Sequence, residues 1–212
     1  MSSRDAVLNR IRAALAADKA QPPPIPRRYI RVGDNPPGSG PVIELMVDRL
    51  VDYKADVREV TPAELGDAID TALTGARSVV IAPDLDGDLA AATRRSGRTV
   101  TVDGDPTVLT PNELDRIDAV VTTATVAIAL SGTITLDGGP GQGRRAITLV
   151  PDFHLVVLHA DQIVQTVPEA IERLDPVRPL TMIAGPSATS DIELERVEGV
   201  HGPRTLYVLI VH

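Results

Sequence analysis

The run RSVVIA at residues 77–82 decides the fold, because it is short, apolar and rich in β-branched residues, as is typical of a strand buried inside a sheet. A second such run, DAVVT, occupies residues 118–122. Between them lie a helix candidate at 84–94 and a strand candidate at 98–102. Strands that alternate with helices predict an α/β fold, with an open, mainly parallel sheet and helices on both faces.

Further elements of the same two kinds surround these runs. Upstream, the sequence predicts a helix at 42–53 and a strand at 56–60, and the segment TPAE at 61–64 starts another helix with Thr61 as its cap. Downstream, it predicts strands at 131–136, 153–159, 180–184 and 205–211, with helices at 167–174 and 190–197.

The N-terminal segment stands apart from this pattern. Residues 3–18 have apolar side chains at helical spacing, and the proline run at 22–26 ends that helix. A second stretch rich in Gly, Pro and Ser follows at 33–41. We therefore expect a helix and linker over 1–40, which dock on the domain or on another subunit, and an α/β domain over 41–212.

The composition excludes several classes of protein. Aromatic residues make up only 2% of the 212 residues and the formal net charge is −8, which disfavours nucleic-acid binding through base stacking or phosphate contacts. The chain has no cysteine, so it binds no iron–sulfur cluster through thiolates of its own. No apolar run is long enough to span a membrane and no apolar signal core is present, so we expect a cytoplasmic location.

A first candidate for binding is the loop GGPGQGRR at 138–145. Glycines let the backbone approach a ligand and offer free N–H groups, and Arg144 with Arg145 could grip a carboxylate or a phosphate. The alternative is a flexible hairpin loop whose arginines are solvated.

Two more glycine-containing loops lie near the C-terminus. The segment 185–193 sits between a predicted strand and a predicted helix, at the place where open α/β sheets bind ligands, although its Ser and Asp side chains could also serve only as a helix cap. The segment 199–204 holds His201 between two glycines, where it could transfer a proton or simply stabilise a turn. By contrast, His154 and His159 point to opposite faces of one strand and cannot share a metal.

Taken together, the loops resemble the LUD-domain family over essentially the whole chain. The matching motifs are Ser131-Gly132-Thr133, Gly141-Gln142-Gly143-Arg144, Pro151-x-x-His154, Gly185-Pro186-Ser187-x-Thr189-x-Asp191-Ile192-Glu193 and Gly199-Val200-His201-Gly202-Pro203-Arg204. The opening helix, with Arg4-Asp5 and Ile11-Arg12, and the proline linker are similar to those of the family's cluster-free lactate-utilisation subgroup.

The resemblance implies a fold and a role. The family's fold is similar to that of the sugar-phosphate isomerases and CoA transferases. Members of the cluster-free subgroup act with iron–sulfur partner subunits in the oxidation of L-lactate to pyruvate. The resemblance gives motif positions but no residue roles, so the site is inferred from the residues themselves: arginines and N–H groups could cradle a small carboxylate or another anion, with His201 as a candidate catalytic group. The expected ligand-binding residues are Ser131, Gly132, Thr133, Gly143, Arg144, Gly185, Ser187, Thr189, Asp191, His201, Gly202 and Arg204.

The chain departs from the family's pattern at one position. Many members have a glutamate shortly before the Gly-Thr step, whereas this chain has Leu130. If that carboxylate performs acid–base work in relatives, this chain cannot do so from the same place. Two alternatives to the lactate-oxidation subunit therefore stay open, namely a freestanding isomerase or acyl-CoA-transferase type of enzyme and a non-catalytic assembly or regulatory subunit.

Overall fold

A computed structural model describes residues 2–17, 24–189, 197–198 and 202–212. Its helices are α1 (Ser3–Ala17), α2 (Gly40–Asp52), α3 (Leu65–Ala72), α4 (Gly87–Thr93), α5 (Pro111–Leu114) and α6 (Val167–Arg173). Its strands are β1 (Asp56–Val60), β2 (Ser78–Ile81), β3 (Thr99–Val102), β4 (Ala119–Thr123), β5 (Val126–Ile128), β6 (Thr133–Leu136), β7 (Phe153–His159), β8 (Ile163–Val164), β9 (Thr181–Ile183), β10 (Ala188–Thr189), β11 (Val197–Glu198) and β12 (Thr205–Val211).

The main sheet contains six parallel strands in the order β1-β12-β7-β4-β2-β3. The two apolar runs that predicted this sheet are β2 and β4, which pair with each other in its interior. Their valines are fully buried, as expected for strands covered on both faces. The predicted α/β fold with a mainly parallel sheet is confirmed.

Helices α3 and α4 cover one face of the main sheet, where they pack against apolar side chains of β2, β4, β7 and β12. The acidic run at 84–88 has a local role here, because the Asp86 carboxylate accepts the backbone N–H groups of Asp88 and Leu89 and so caps α4. Thr61 differs slightly from its expected role as cap: α3 begins at Leu65, and the Glu64 carboxylate accepts both the N–H and the hydroxyl of Thr61.

The other face carries more than the helices that were predicted for it. Helix α2 packs there, but beside it lies a second sheet of four strands in the order β8-β5-β6-β9. In that sheet β6 pairs antiparallel with both β5 and β9. Residues 180–184 therefore do not end at the carboxyl edge of the parallel sheet, and the ligand-site argument based on that edge is wrong for Gly185. The alternating exposure along β9, with Met182 exposed, fits its position at the edge of the small sheet.

The structure agrees with the helix predicted at the N-terminus and differs from the prediction near the C-terminus. Helix α1 matches the predicted helix, and its apolar residues Val7, Ile11 and Leu15 are exposed. Residues 190–196 of the predicted helix at 190–197 lie outside the described residues, and Val197 lies in β11, where it pairs with Thr189 of β10 rather than continuing a helix. No helix in the described parts of the chain is long and apolar enough to cross a membrane.

Candidate functional site

Two adjoining cavities lie beside the second sheet, and the first of them also reaches strands β7 and β12 of the main sheet. The first cavity has a volume of about 310 Å³ and the second cavity a volume of about 470 Å³. Arg145, Thr148 and Thr181 line both of them. Arg145 and Thr148 belong to a short 3₁₀ turn and Thr181 begins β9, so these two elements form the junction between the cavities.

The first cavity is built on the amino ends of β7 and β12. His154 and Leu206 are neighbours in register on these strands, and both line the cavity. The turn at 184–187 closes one side, where the Ser187 N–H donates to the Pro203 carbonyl over 2.8 Å. Because the strands begin here, this cavity lies at the opposite end of β7 and β12 from the carboxyl edge that open α/β sheets generally use.

His154 is the buried polar group of the first cavity. Its Nε2 lies 2.8 Å from the Thr122 hydroxyl oxygen. Thr122 lies on β4 two residues beyond Val120, the neighbour of His154 in register, and therefore on the same face of the sheet. Burial lowers the pKa of His154 to about 3, so the ring is neutral at physiological pH. A neutral imidazole in this position can donate or accept a hydrogen bond but does not attract an anion by charge. The second strand histidine, His159, is exposed at the other end of β7.

The glycine-rich loop beside the second cavity is closed by its own glutamine. The buried Gln142 side chain directs Oε1 at three backbone N–H groups, those of Asp137, Gly138 and Gly139, at 2.8, 3.1 and 3.3 Å. The Gly141 N–H donates to the Asp84 carboxylate. The N–H groups of Gly138, Gly139 and Gly141 therefore have acceptors within the protein and are not free to cradle an anion.

Arg144 leaves the same loop and makes a bidentate ion pair with Asp103. Its Nε and Nη2 atoms lie 2.6 and 2.8 Å from the two carboxylate oxygens. Burial alone would raise the pKa of Asp103, but the hydrogen bonds from Arg144 and from the Leu109 N–H outweigh it and hold that pKa below its usual value. Arg144 lines the second cavity, yet two of its donors serve this structural pair.

Two further arginines face the second cavity with more freedom. Arg145 is exposed, and its guanidinium has no hydrogen bond or ion pair with any residue in the described parts of the chain. Arg178 is 48% exposed, and its guanidinium contacts Asp137 at 3.4 Å and Asp175 at 3.8 Å, which are loose distances for ion pairs. The second cavity thus offers guanidinium groups that an anion could engage.

The residues expected from the sequence divide between these cavities and other places. Gly185, Ser187 and Gly202 line the first cavity, and Gly143 with Arg144 lines the second. Thr189 belongs to β10, while Asp191 and His201 lie outside the described residues. Arg204 is 62% exposed, with its Nε 3.6 Å from the Asp152 carboxylate, and it lines neither cavity.

The segment 131–133 has a packing role at the start of β6. Gly132 has a left-handed backbone with φ of 59°, and a Cβ there would approach the Arg49 Cβ of α2 to 2.8 Å. The Ser131 and Thr133 hydroxyls bond to each other at 2.9 Å. These three residues line neither cavity, and nor does Leu130, which is half exposed on the preceding turn. A glutamate in place of Leu130 would therefore also lie outside both linings.

Several side chains of the cavities did not belong to the set expected from the sequence, among them His154, Thr148, Thr181 and Arg178. Arg145 was a candidate from the sequence, beside Arg144 in the glycine-rich loop, and lines both cavities. Nothing local marks Arg178, which enters the site only because its segment precedes β9 and returns over the loop 41 residues upstream.

Comparisons with known proteins fit this architecture. The family model of the LUD domain matches residues 43–211. Lactate utilization protein C of Deinococcus radiodurans is 43% identical over 208 residues, covering 96% of this chain and 92% of that protein. Lactate utilization protein C of Shouchella clausii is 25% identical over 185 residues, covering 80% of this chain and 79% of that protein.

A solved structure agrees with both the sequence match and the fold. The crystal structure of a DUF162 family protein from Deinococcus radiodurans superposes with a TM-score of 0.68 at 40% identity, covering 81% of this chain and 97% of that one. With a family match that spans the second sheet, both cavities and the main sheet, this chain belongs to the LUD-domain family.

Proposed function

We propose that the chain is a subunit of a lactate-utilisation system and that it binds a small carboxylate at the junction of the two cavities. The observation that carries this proposal is Arg145, a guanidinium without a protein partner in the described chain, at a junction that also holds two threonine hydroxyls. Relatives named lactate utilization protein C support the choice of lactate or pyruvate as the carboxylate.

The junction supplies the contacts that a short hydroxy or keto acid needs. Arg145 can hold the carboxylate through two parallel N–H donors. Thr181 offers a hydroxyl beside it, while the Thr148 hydroxyl already donates to the Arg145 carbonyl and so steadies the turn. The first cavity then receives the rest of the ligand next to neutral His154, which can hydrogen-bond a keto or hydroxyl oxygen without repelling or attracting its charge.

Oxidation of lactate would need an electron acceptor on another protein. The chain lacks the cysteine thiolates that an iron–sulfur cluster requires, so its residues do not fit such a cluster. We therefore assign the clusters to iron–sulfur partner subunits and assign binding and orientation of the carboxylate to this chain. No electron-transfer step is attributed to its side chains.

The proposal is tested by calorimetric titration of the full chain with L-lactate, with pyruvate and with the neutral analogue lactamide. We expect saturable binding of at least one acid and none of the amide, because the amide lacks the charge that Arg145 would engage. Absence of heat with both acids would contradict the ligand. A parallel assay of L-lactate oxidation by iron–sulfur lactate-utilisation subunits, with and without this chain, tests the assignment to that system.

One observation favours a second role, that of an assembly subunit. Helix α1 exposes Val7, Ile11 and Leu15 along one stripe and carries three arginines against a single aspartate. An iron–sulfur partner subunit with an acidic rim around an apolar groove would match this helix. Deleting residues 1–26 should abolish binding to that subunit and leave carboxylate binding intact, whereas unchanged partner binding would exclude α1 as the docking arm.

A further inference from the structure

We propose that the second cavity is a separate anion subsite, so that the complete site binds a ligand with two anionic groups more tightly than a simple three-carbon acid. This inference rests on the proposed function, because it keeps the first carboxylate at Arg145. The second anionic group then lies against Arg178, which lines the second cavity and not the first.

The arginines of the second cavity favour an anionic ligand. The lining of this cavity contains three arginines, of which Arg144 is paired with Asp103 and Arg178 loosely with two aspartates, while Arg145 has no acidic partner in the described parts of the chain. Arg145 and Arg178 are therefore the guanidinium groups of this cavity that an anion can engage, in a chain whose formal net charge is −8. Arginine clusters of this kind suit planar carboxylates and phosphates, which accept two parallel N–H bonds.

The contacts of Arg178 with its acidic neighbours are long. Its distances to Asp137 and Asp175 are 3.4 and 3.8 Å, whereas Arg144 reaches Asp103 at 2.6 Å. The Asp137 Oδ1 atom accepts from the Thr125 hydroxyl at 2.7 Å and from the Gly139 N–H at 3.0 Å, whereas Arg178 contacts the Oδ2 atom. Because no other donor to Oδ2 lies in the described parts of the chain, Arg178 has to bind the ligand while it stays beside Asp137, which its half-exposed, loosely held guanidinium permits.

The volume of the second cavity also favours a ligand with two anionic groups. The second cavity has a volume of about 470 Å³, against about 310 Å³ for the first cavity, so it is large enough for more than the carboxylate of a three-carbon acid. Arg145 and Arg178 both line it, so a single ligand within this cavity can contact both guanidinium groups. The ligand class is thus a dicarboxylate or a carboxylate that also bears a phosphate or phosphonate.

The experiment is a calorimetric series at constant ionic strength on the full chain. The probes are unbranched dicarboxylates from malonate to suberate, each paired with the monocarboxylate of the same length, and the matching ω-phosphonocarboxylates. We expect one chain length at which the dianion binds at least about tenfold more tightly than its monoanionic partner. Whether the carboxylate or the phosphonate series shows the larger gain identifies the second group.

Two variants locate the second contact. Arg178→Gln should remove the tighter binding of the dianion while the affinity for pyruvate stays within about twofold. The control is Arg173→Gln, which should retain the tighter binding of the dianion. Arg173 is exposed, donates to the Asp161 carbonyl and lines neither cavity. Pyruvate binding with no advantage for any dianion would overturn this inference alone. Equal weakening of pyruvate and dianions by Arg178→Gln would also overturn it. No binding of any carboxylate would overturn the proposed function and this inference with it.

Discussion

The glycine-rich loop at 137–144 and the paired turns at 184–187 and 202–203 look alike in the sequence but are built differently. In the loop, Gln142 accepts three backbone N–H groups and Arg144 is fixed to Asp103, so the polar groups are occupied by the protein itself. In the paired turns, the Ser187 N–H donates to the Pro203 carbonyl and so joins two segments that border the first cavity. The loop lines the second cavity but most of its polar groups bind to the protein itself, whereas the turns form a wall of the first cavity.

The difference teaches that glycine content does not define an anion site. Glycine permits the backbone conformation, but the destination of each N–H decides whether a ligand can use it. Substitutions in the loop should therefore reduce stability, and substitutions in the turns should reduce ligand affinity. Four predictions, from the largest expected effect to the smallest, examine this contrast.

Gln142→Ala should lower the free energy of unfolding by about 3 kcal/mol, because it leaves the buried Asp137 N–H without its acceptor, removes an acceptor of Gly138 and Gly139 and removes a donor to Thr125. Urea unfolding measures the change. Gln162→Ala is the matched control, since that amide also donates once, to the Ala124 carbonyl, but accepts only the His159 N–H, and it should cost about 1–2 kcal/mol. Equal costs for the two variants would contradict the structural role of the loop.

Gly143→Ala should destabilise the protein by about 2–3 kcal/mol. The residue has φ of 66°, and a Cβ there would lie 2.6 Å from the Ile147 Cδ1 atom, so backbone strain and overpacking act together. Gly138→Ala has a similar φ of 73° but no atom within 4 Å of the added Cβ, and should cost only about 1 kcal/mol. Thermal unfolding of both variants separates the effect of backbone strain from that of overpacking. A loss of stability in Gly138→Ala as large as that in Gly143→Ala would contradict a contribution from overpacking.

Lowering the pH from 7 to 5 should cost about 2 kcal/mol of stability through His154. Its pKa is about 3 in the folded protein and about 6.5 when unfolded, so between these values the unfolded chain binds a proton that the folded chain does not. Stability therefore falls as the pH drops through this window. Arg145 shares the cavity and keeps its charge throughout. Urea unfolding of His154→Gln should show a smaller loss over the same range, and an unchanged loss would assign the pH dependence elsewhere.

Gly202→Ala should change the free energy of unfolding by less than about 0.5 kcal/mol, because the added Cβ meets the Ser187 Cβ at an ordinary 3.5 Å. It should nevertheless weaken carboxylate binding, since both residues line the first cavity and the methyl group takes space there. Calorimetry and urea unfolding of the same sample give the two numbers. A large loss of stability with unchanged affinity would reverse the roles assigned to the loop and the turns.

Local sequence was sufficient for the elements of the main sheet. The buried runs of β2 and β4 and the capping box of Thr166 with Glu169 at the start of α6 follow from residue type and spacing over a few positions. The second sheet could not be predicted in this way. Whether β9 joins the parallel sheet or pairs antiparallel with β6 depends on contacts between residues more than 40 positions apart, which no local pattern contains.

The site was predictable only in part, for a related reason. Gly185, Ser187 and Gly202 were expected at a binding site and border the first cavity, although their ligand contacts stay predictions. The pairing of Arg144 with Asp103 and the return of Arg178 to the loop both span 41 residues, so the sequence could not tell an arginine committed to structure from one available to a ligand. Of the three arginines that the sequence offered as anion contacts, Arg144, Arg145 and Arg204, that distinction leaves Arg145 as the proposed one.

The most direct test is therefore a titration with pyruvate of three proteins at equal ionic strength: wild type, Arg145→Gln and Arg204→Gln. Arg145 lines both cavities without a protein partner in the described chain, and Arg204 lies outside them beside Asp152. We predict that Arg145→Gln weakens binding at least about tenfold, the loss of one charge-assisted contact, and that Arg204→Gln leaves it unchanged. Undiminished binding in Arg145→Gln, with loss in Arg204→Gln, would contradict the site.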